Sequence, residues 1–119
     1  MRAAQLEAID TIISSEAVLI SNPQTTKKNL ISKLESRIKG VVTASKFVYC
    51  SYNIRRAMLQ KAIGVTPGRK APTIAPLEDD AWVSISVMVE KAKIADTMDQ
   101  LEDLGATDVL VFNIDNCRV

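Results

Sequence analysis

Residues able to do chemistry are few in this chain. Cys50 and Cys117 are its two thiols, and it contains no histidine. Neither a Cys-x-x-Cys pair nor a mixed Cys/His zinc set can therefore be assembled. Both cysteines are expected to be reduced, packed as small apolar groups. Glu78-Asp79-Asp80 sets three carboxylates side by side, which could point to a cation. Octahedral or calcium coordination needs further oxygen ligands from elsewhere in the chain, and adjacent acids in a turn are ordinarily solvated. Gly64-Val-Thr-Pro-Gly68 is a glycine-bearing turn, but it lacks the Lys-Ser/Thr pair that completes a phosphate-binding loop.

The bulk properties narrow the partners. With 119 residues the chain is long enough for one domain of ordinary size and a short further segment. An apolar share of 47% with 24% charged residues is that of a globular protein. The net charge of +1 provides no field to draw nucleic acid or an anionic membrane, so neither is expected as a partner. The most apolar runs, residues 17–20, 83–89 and 109–114, fall far short of the roughly 20 residues that cross a bilayer. The first residues carry charges where a signal peptide needs an apolar core, so a cytoplasmic location is expected.

Hydrophobic spacing then places the elements. Leu6, Ile9 and Ile13 recur at helical spacing and predict a helix over 2–13; residues 16–21 form a short apolar run that suits a strand. Asn22 and Pro23 are positioned to cap and start a second helix, with Leu30, Leu34 and Ile38 on one stripe, running to about residue 44. These first 45 residues hold one strand, too little to build a sheet, and read as the end of something larger.

From residue 46 the pattern is more complete. Residues 46–53 are rich in β-favouring side chains; 55–63 carry a helical stripe of Met58, Leu59, Ala62 and Ile63. The two prolines in 71–77 restrict that stretch to a short or edge strand, and Glu78-Asp79-Asp80 makes the turn that follows. Val83, Ile85, Val87 and Val89 alternate with Trp82, Ser84, Ser86 and Met88, the period of a strand with one core face. Ile94, Met98 and Leu101 mark a helix over 90–104 with Gly105 as its cap, and 109–114, apolar on both faces, is expected as an inner strand. The order βαββαβ predicts an α+β, ferredoxin-like domain over 46–119, preceded by a helix-strand-helix segment over 1–45. Two helices cover one sheet face. The other face stays open, and its simplest cover is another copy of the same domain.

Five stretches in register carry a family resemblance: Ile63-Gly-Val-Thr-Pro-Gly68, Ala71-Pro-Thr-Ile-Ala-Pro-Leu-Glu-Asp79, Trp82-Val83, Met98-Asp-x-Leu-x-x-Leu-Gly-Ala106, and Val109-Leu-Val111 with Cys117-Arg118. Together they resemble the C-terminal domain of the long-form ATP phosphoribosyltransferases. Met1-Arg-Ala-Ala-Gln-Leu6 and Ser15-Glu-Ala-Val-Leu-Ile-Ser21 resemble the end of that family's catalytic half. The resemblance implies that the loop cradling phosphoribosyl pyrophosphate precedes the segment matching 1–6. Residues 1–119 by themselves are then expected to be inactive, and to hold no catalytic residue, metal site or cofactor. Magnesium is implied only for the full-length family enzyme.

The same resemblance implies L-histidine as an effector, with Asn53, Arg69, Thr73, Met88 and Asp108 at the binding positions, and self-association as a trimer or hexamer. Thr73, inside the matching Pro-Thr pair, is the firmest of these. Asn53 stands where some members carry aspartate, and it is equally placed to cap the helix after it. Arg55 departs from the usual proline. Met88 lies on the Ser84-Ser86 face, where plain packing is the commoner role. Two alternatives stand beside this regulatory reading: the phosphoribosyl-transferring enzyme itself, and a freestanding metabolite-sensing or structural oligomer of the same fold.

Overall fold

The computed structural model describes residues 6–119. Its α1 helix is Lys28–Ala44; then come β1 (Phe47–Arg55), a 3-10 turn and α2 (Leu59–Val65), β2 (Thr73–Pro76), β3 (Trp82–Glu90), a second 3-10 turn and α3 (Ile94–Asp103), and β4 (Thr107–Asn113). The four strands form one antiparallel sheet in the order β2-β3-β1-β4. Placing the first and third strands in the centre is the ferredoxin-like arrangement that the βαββαβ order predicted.

The alternation in β1 and β3 decides what is inside. Val48, Cys50, Tyr52 and Ile54 on β1 join Val83, Ile85 and Val87 on β3 as buried residues, with Ala62 of α2 and Leu101 of α3 packed over them. Fully burying side chains such as Ile54, Ile85 and Leu101 contributes about 1.5–3 kcal/mol each. Tyr52 brings a hydroxyl into this core, where it meets Thr66 at 2.7 Å, and Thr66 donates in turn to the Ala62 carbonyl at 3.0 Å. The loop leaving α2 is thereby tied to the central strand. Gly105, at φ 83°, ends α3 in the left-handed conformation expected of a cap.

Several expectations need correction. Residues 6–27 form neither helix nor strand; residues 2–5 of the predicted helix lie outside the described part. Among the described residues the run 16–21 has no second strand beside it to accept its hydrogen bonds, and an unpaired strand is not stable in water. Asn22 starts a turn instead of capping a helix: its Oδ1 accepts from the Gln24 N–H at 2.9 Å and its carbonyl from the Thr25 N–H at 3.2 Å. That turn moves the start of α1 to Lys28. With residues 6–27 outside any helix or strand, the radius of gyration is 20.1 Å, well above the roughly 13–14 Å of a compact chain of this length. Finally β4 is an edge strand, outside β1, and not an inner one. Its apolar residues on both sides, Leu110, Val111 and Phe112, remain largely exposed.

Candidate functional site

The sheet face away from α2 and α3 is where the candidate residues fall. Cross-strand pairing puts Thr73, Ser86 and Ser51 in one row, Ala75, Ser84 and Asn53 in the next, and Met88, Tyr49 and Phe112 on the other side. Residues directly opposite in a sheet share a face, so these rows define a polar centre with an aromatic and thioether flank. Ser51 and Ser86 hydroxyls meet at 3.2 Å across β1 and β3. Tyr49, Leu110 and Phe112 expose much of their apolar surface on the same side.

Two groups of candidates emerge. Arg69, Thr73 and Met88 line one cavity of about 640 Å³, together with Tyr49, Lys70 and Ser86. The loop after α2 brings Arg69 there, and its guanidinium rests over the Phe47 ring, 5.7 Å from the centroid. Gly68 permits this path: its φ is 68°, and a β-carbon would lie 2.9 Å from Cγ2 of Val87.

Asn53 and Asp108 form the second group. The pairing of β1 with β4 shifts register between Ser51 and Asn53, and Asp108 takes a positive φ of 52° at that irregularity. Aspartate tolerates this left-handed conformation better than most residues. The result aims its carboxylate at Asn53, whose Nδ2 donates to Oδ2 at 3.0 Å; the Thr107 hydroxyl donates to the same oxygen at 3.4 Å. Asn53 sits within β1, and no side chain caps the helical turn after it. Its amide is therefore a sheet-face group.

All five predicted residues are on or beside the open face, yet one copy does not gather them. From Asn53 to Thr73 is two strands across and two residues along, roughly 12 Å by strand spacing and rise. Tyr49, Ser51, Ser86, Lys70 and Arg118 are the members of this surface that sequence reasoning did not single out. The serines were legible from their alternation with the core residues; Arg118 enters the sequence reasoning only through the Cys117-Arg118 match, which gives it no role.

The remaining candidates for chemistry serve the scaffold. Cys50 is buried and Cys117 half-buried, both free, and burial pushes the Cys50 thiol up from its ordinary 9.0. Asp79 closes the β2–β3 hairpin: its Oδ1 accepts from Ala81 N–H at 2.9 Å and its carbonyl from Trp82 N–H at 3.0 Å. Among the described residues no three of Cys, Asp and Glu converge as metal ligands, and no helix is long and apolar enough to cross a membrane.

A four-stranded antiparallel sheet with helices on one face and an open polar face on the other defines a ferredoxin-like α+β domain. Comparison with known proteins gives the family. Residues 44–116 match the family described as "HisG, C-terminal domain", so the chain belongs to it. The whole chain is 46% identical to the ATP phosphoribosyltransferase of Yarrowia lipolytica and 47% identical to that of Saccharomyces cerevisiae, covering 40% of each. It is 40% identical to the Schizosaccharomyces pombe enzyme, over 99% of this chain and 39% of that protein. The chain thus spans about two fifths of the length of the curated relatives it matches.

Proposed function

We propose that this chain is the regulatory part of an ATP phosphoribosyltransferase, the first enzyme of histidine biosynthesis, and that its open sheet face binds free L-histidine as a feedback inhibitor. The observation that carries the reading is the continuous match of the whole chain to ATP phosphoribosyltransferases, combined with an open face that presents Asn53, Thr73 and Met88. An amino acid needs donors for its carboxylate, acceptors for its ammonium and imidazole, and an apolar wall. The cavity at Thr73 offers cations, hydroxyls and the Met88 thioether; the Asn53–Asp108 pair offers a carboxylate.

Free histidine spans about half of the roughly 12 Å between the two groups. Both act on one ligand when the open faces of two copies come together and each contributes one group. The exposed Tyr49, Leu110 and Phe112 supply apolar surface for such a contact, consistent with a trimer or hexamer. Binding at that junction shifts the assembly by its differential affinity for the two states.

Residues 1–45 belong, in this reading, with the catalytic half. Ile9, Ile12 and Ile20 are more than four-fifths exposed, and Leu19, Ile20, Leu34 and Ile38 line an apolar groove of about 350 Å³ beside α1. Surface of this kind calls for a protein cover. Phosphoribosyl transfer to ATP, with its magnesium, then resides in that other half, and the assembled enzyme works in the cytoplasm. Calorimetric titration of the chain with L-histidine, at a concentration where its oligomeric state is known, tests the reading. Saturable binding that Thr73→Ala weakens at least about tenfold is expected, the cost of a hydrogen bond to a charged ligand group. Absence of binding, with the oligomer intact, would leave an assembly domain.

A further inference from the structure

The segment after β4 folds back across α1, and α1 is shaped to receive it. Gly40 is buried in a helix whose outer residues are mostly exposed. A β-carbon at Gly40 would overlap the Asn116 side-chain oxygen and come within 2.9 Å of its Cγ. With that space open, the Cys117 N–H donates to the Gly40 carbonyl at 2.9 Å and Asn116 Nδ2 donates to the Arg37 carbonyl at 3.3 Å. Arg118 Nε donates in turn to Asn116 Oδ1 at 3.4 Å. The chain from Gly40 to Arg118 is therefore a run of hydrogen bonds that seats one cationic side chain.

That side chain lines the 640 Å³ cavity of the open face. Arg69, Lys70 and Arg118 are there with the hydroxyl groups of Tyr49, Thr73 and Ser86 and with Val119, and no Asp or Glu side chain lines it; Arg118 also borders the cavity beside α1 that holds Glu35, but no ion pair joins them. Among the described residues the ion pairs are Lys39–Glu35 and Lys93–Glu90, so none of the three cations has an acidic partner. Arg69 is already engaged over Phe47, whereas Arg118 uses only its Nε. An arginine with both terminal nitrogens uncommitted is suited to bidentate capture of a carboxylate.

We propose that Arg118, seated by the Asn116–Gly40 contact, is the residue that takes the carboxylate of the amino-acid effector. This rests on the histidine reading of the open face and adds to it a specificity determinant from outside the sheet. It selects ligands that carry a carboxylate, and Gly40 is its positioning residue.

The test compares L-histidine with histamine, which keeps the imidazole and ammonium and lacks the carboxylate. Titrations use the complete chain, with Arg118→Gln and Gly40→Ala, folding being checked by circular dichroism and urea midpoint. Arg118→Gln is expected to weaken histidine binding about tenfold or more and to leave histamine binding within about twofold. Gly40→Ala should reproduce that selective loss, because the added methyl unseats Asn116. Histidine binding that Arg118→Gln leaves unchanged while Thr73→Ala weakens it overturns the assignment and spares the histidine reading; so does an equal loss for both ligands. Wild-type chain that binds neither ligand removes both.

Discussion

Replacing Thr66 by valine removes a hydroxyl that serves two buried partners, and its effect differs from that of removing the tyrosine. Tyr52 and Thr66 are each 1% exposed. The threonine proton goes to the Ala62 carbonyl at 3.0 Å, so Tyr52 must be the donor in the 2.7 Å contact between the hydroxyls. Thr66→Val leaves the Tyr52 hydroxyl buried without an acceptor, at about 1–3 kcal/mol. Ala62 loses little, because its carbonyl still accepts from the Thr66 backbone N–H at 2.9 Å. Tyr52→Phe instead removes one donor and leaves the threonine proton satisfied, at about 1 kcal/mol. In the double variant both groups are apolar, and its cost should not exceed that of Thr66→Val, a coupling of about 1 kcal/mol. Urea denaturation at a fixed chain concentration reads all three, the concentration being held because self-association adds stability of its own. Thr66→Val should lower the midpoint by roughly 1 M, given slopes of about 1–3 kcal/mol per molar urea. Additive losses, with Thr66→Val no costlier than Tyr52→Phe, would refute the buried relay and with it the anchoring of the loop that carries Arg69.

Two further outcomes follow from the same region. Burial raises the Tyr52 hydroxyl above its ordinary 10.0 and the Cys50 thiol above its ordinary 9.0. Both groups bind their protons more tightly folded than unfolded. Their stabilisation is therefore complete below about pH 9 and is lost as pH climbs through the ordinary values toward the folded ones. Urea midpoints should fall as pH rises through the ordinary values of 9.0 and 10.0, and less steeply in Tyr52→Phe; a flat profile would contradict the burial. Gly68→Ala and Gly64→Ala form a matched pair: the first strains a φ of 68° against Val87, while the second meets nothing within 4 Å. The first should lose about 1 kcal/mol or more, and the second, inside α2, should gain about 0.5–1 kcal/mol. Equal midpoints for the two would show that the loop does not need its left-handed turn.

The elements after residue 46 were legible because their causes are local. Alternation in 82–89 sets one face of β3 to the core whatever surrounds it, the helical stripe ending at Leu101 before Gly105 marks α3, and the prolines of 71–77 restrict β2 to an edge. The open face and its serines followed from that alternation. Where the causes are distant, local pattern misled. Residues 16–21 are apolar enough for a strand but have no partner strand here, and 109–114 reads as an inner strand although the topology sets β4 outside β1. The separation of Thr73 from Asn53 comes from register, and the left-handed Asp108 from an irregularity between β1 and β4; neither is written in either segment alone. Arg118 reaches the open face only because Gly40, 78 positions earlier, leaves room for Asn116. Side-chain period and turn chemistry act within a few residues and belong to the sequence itself; which groups share a cavity depends on pairings between distant strands, and these form only when the whole chain packs.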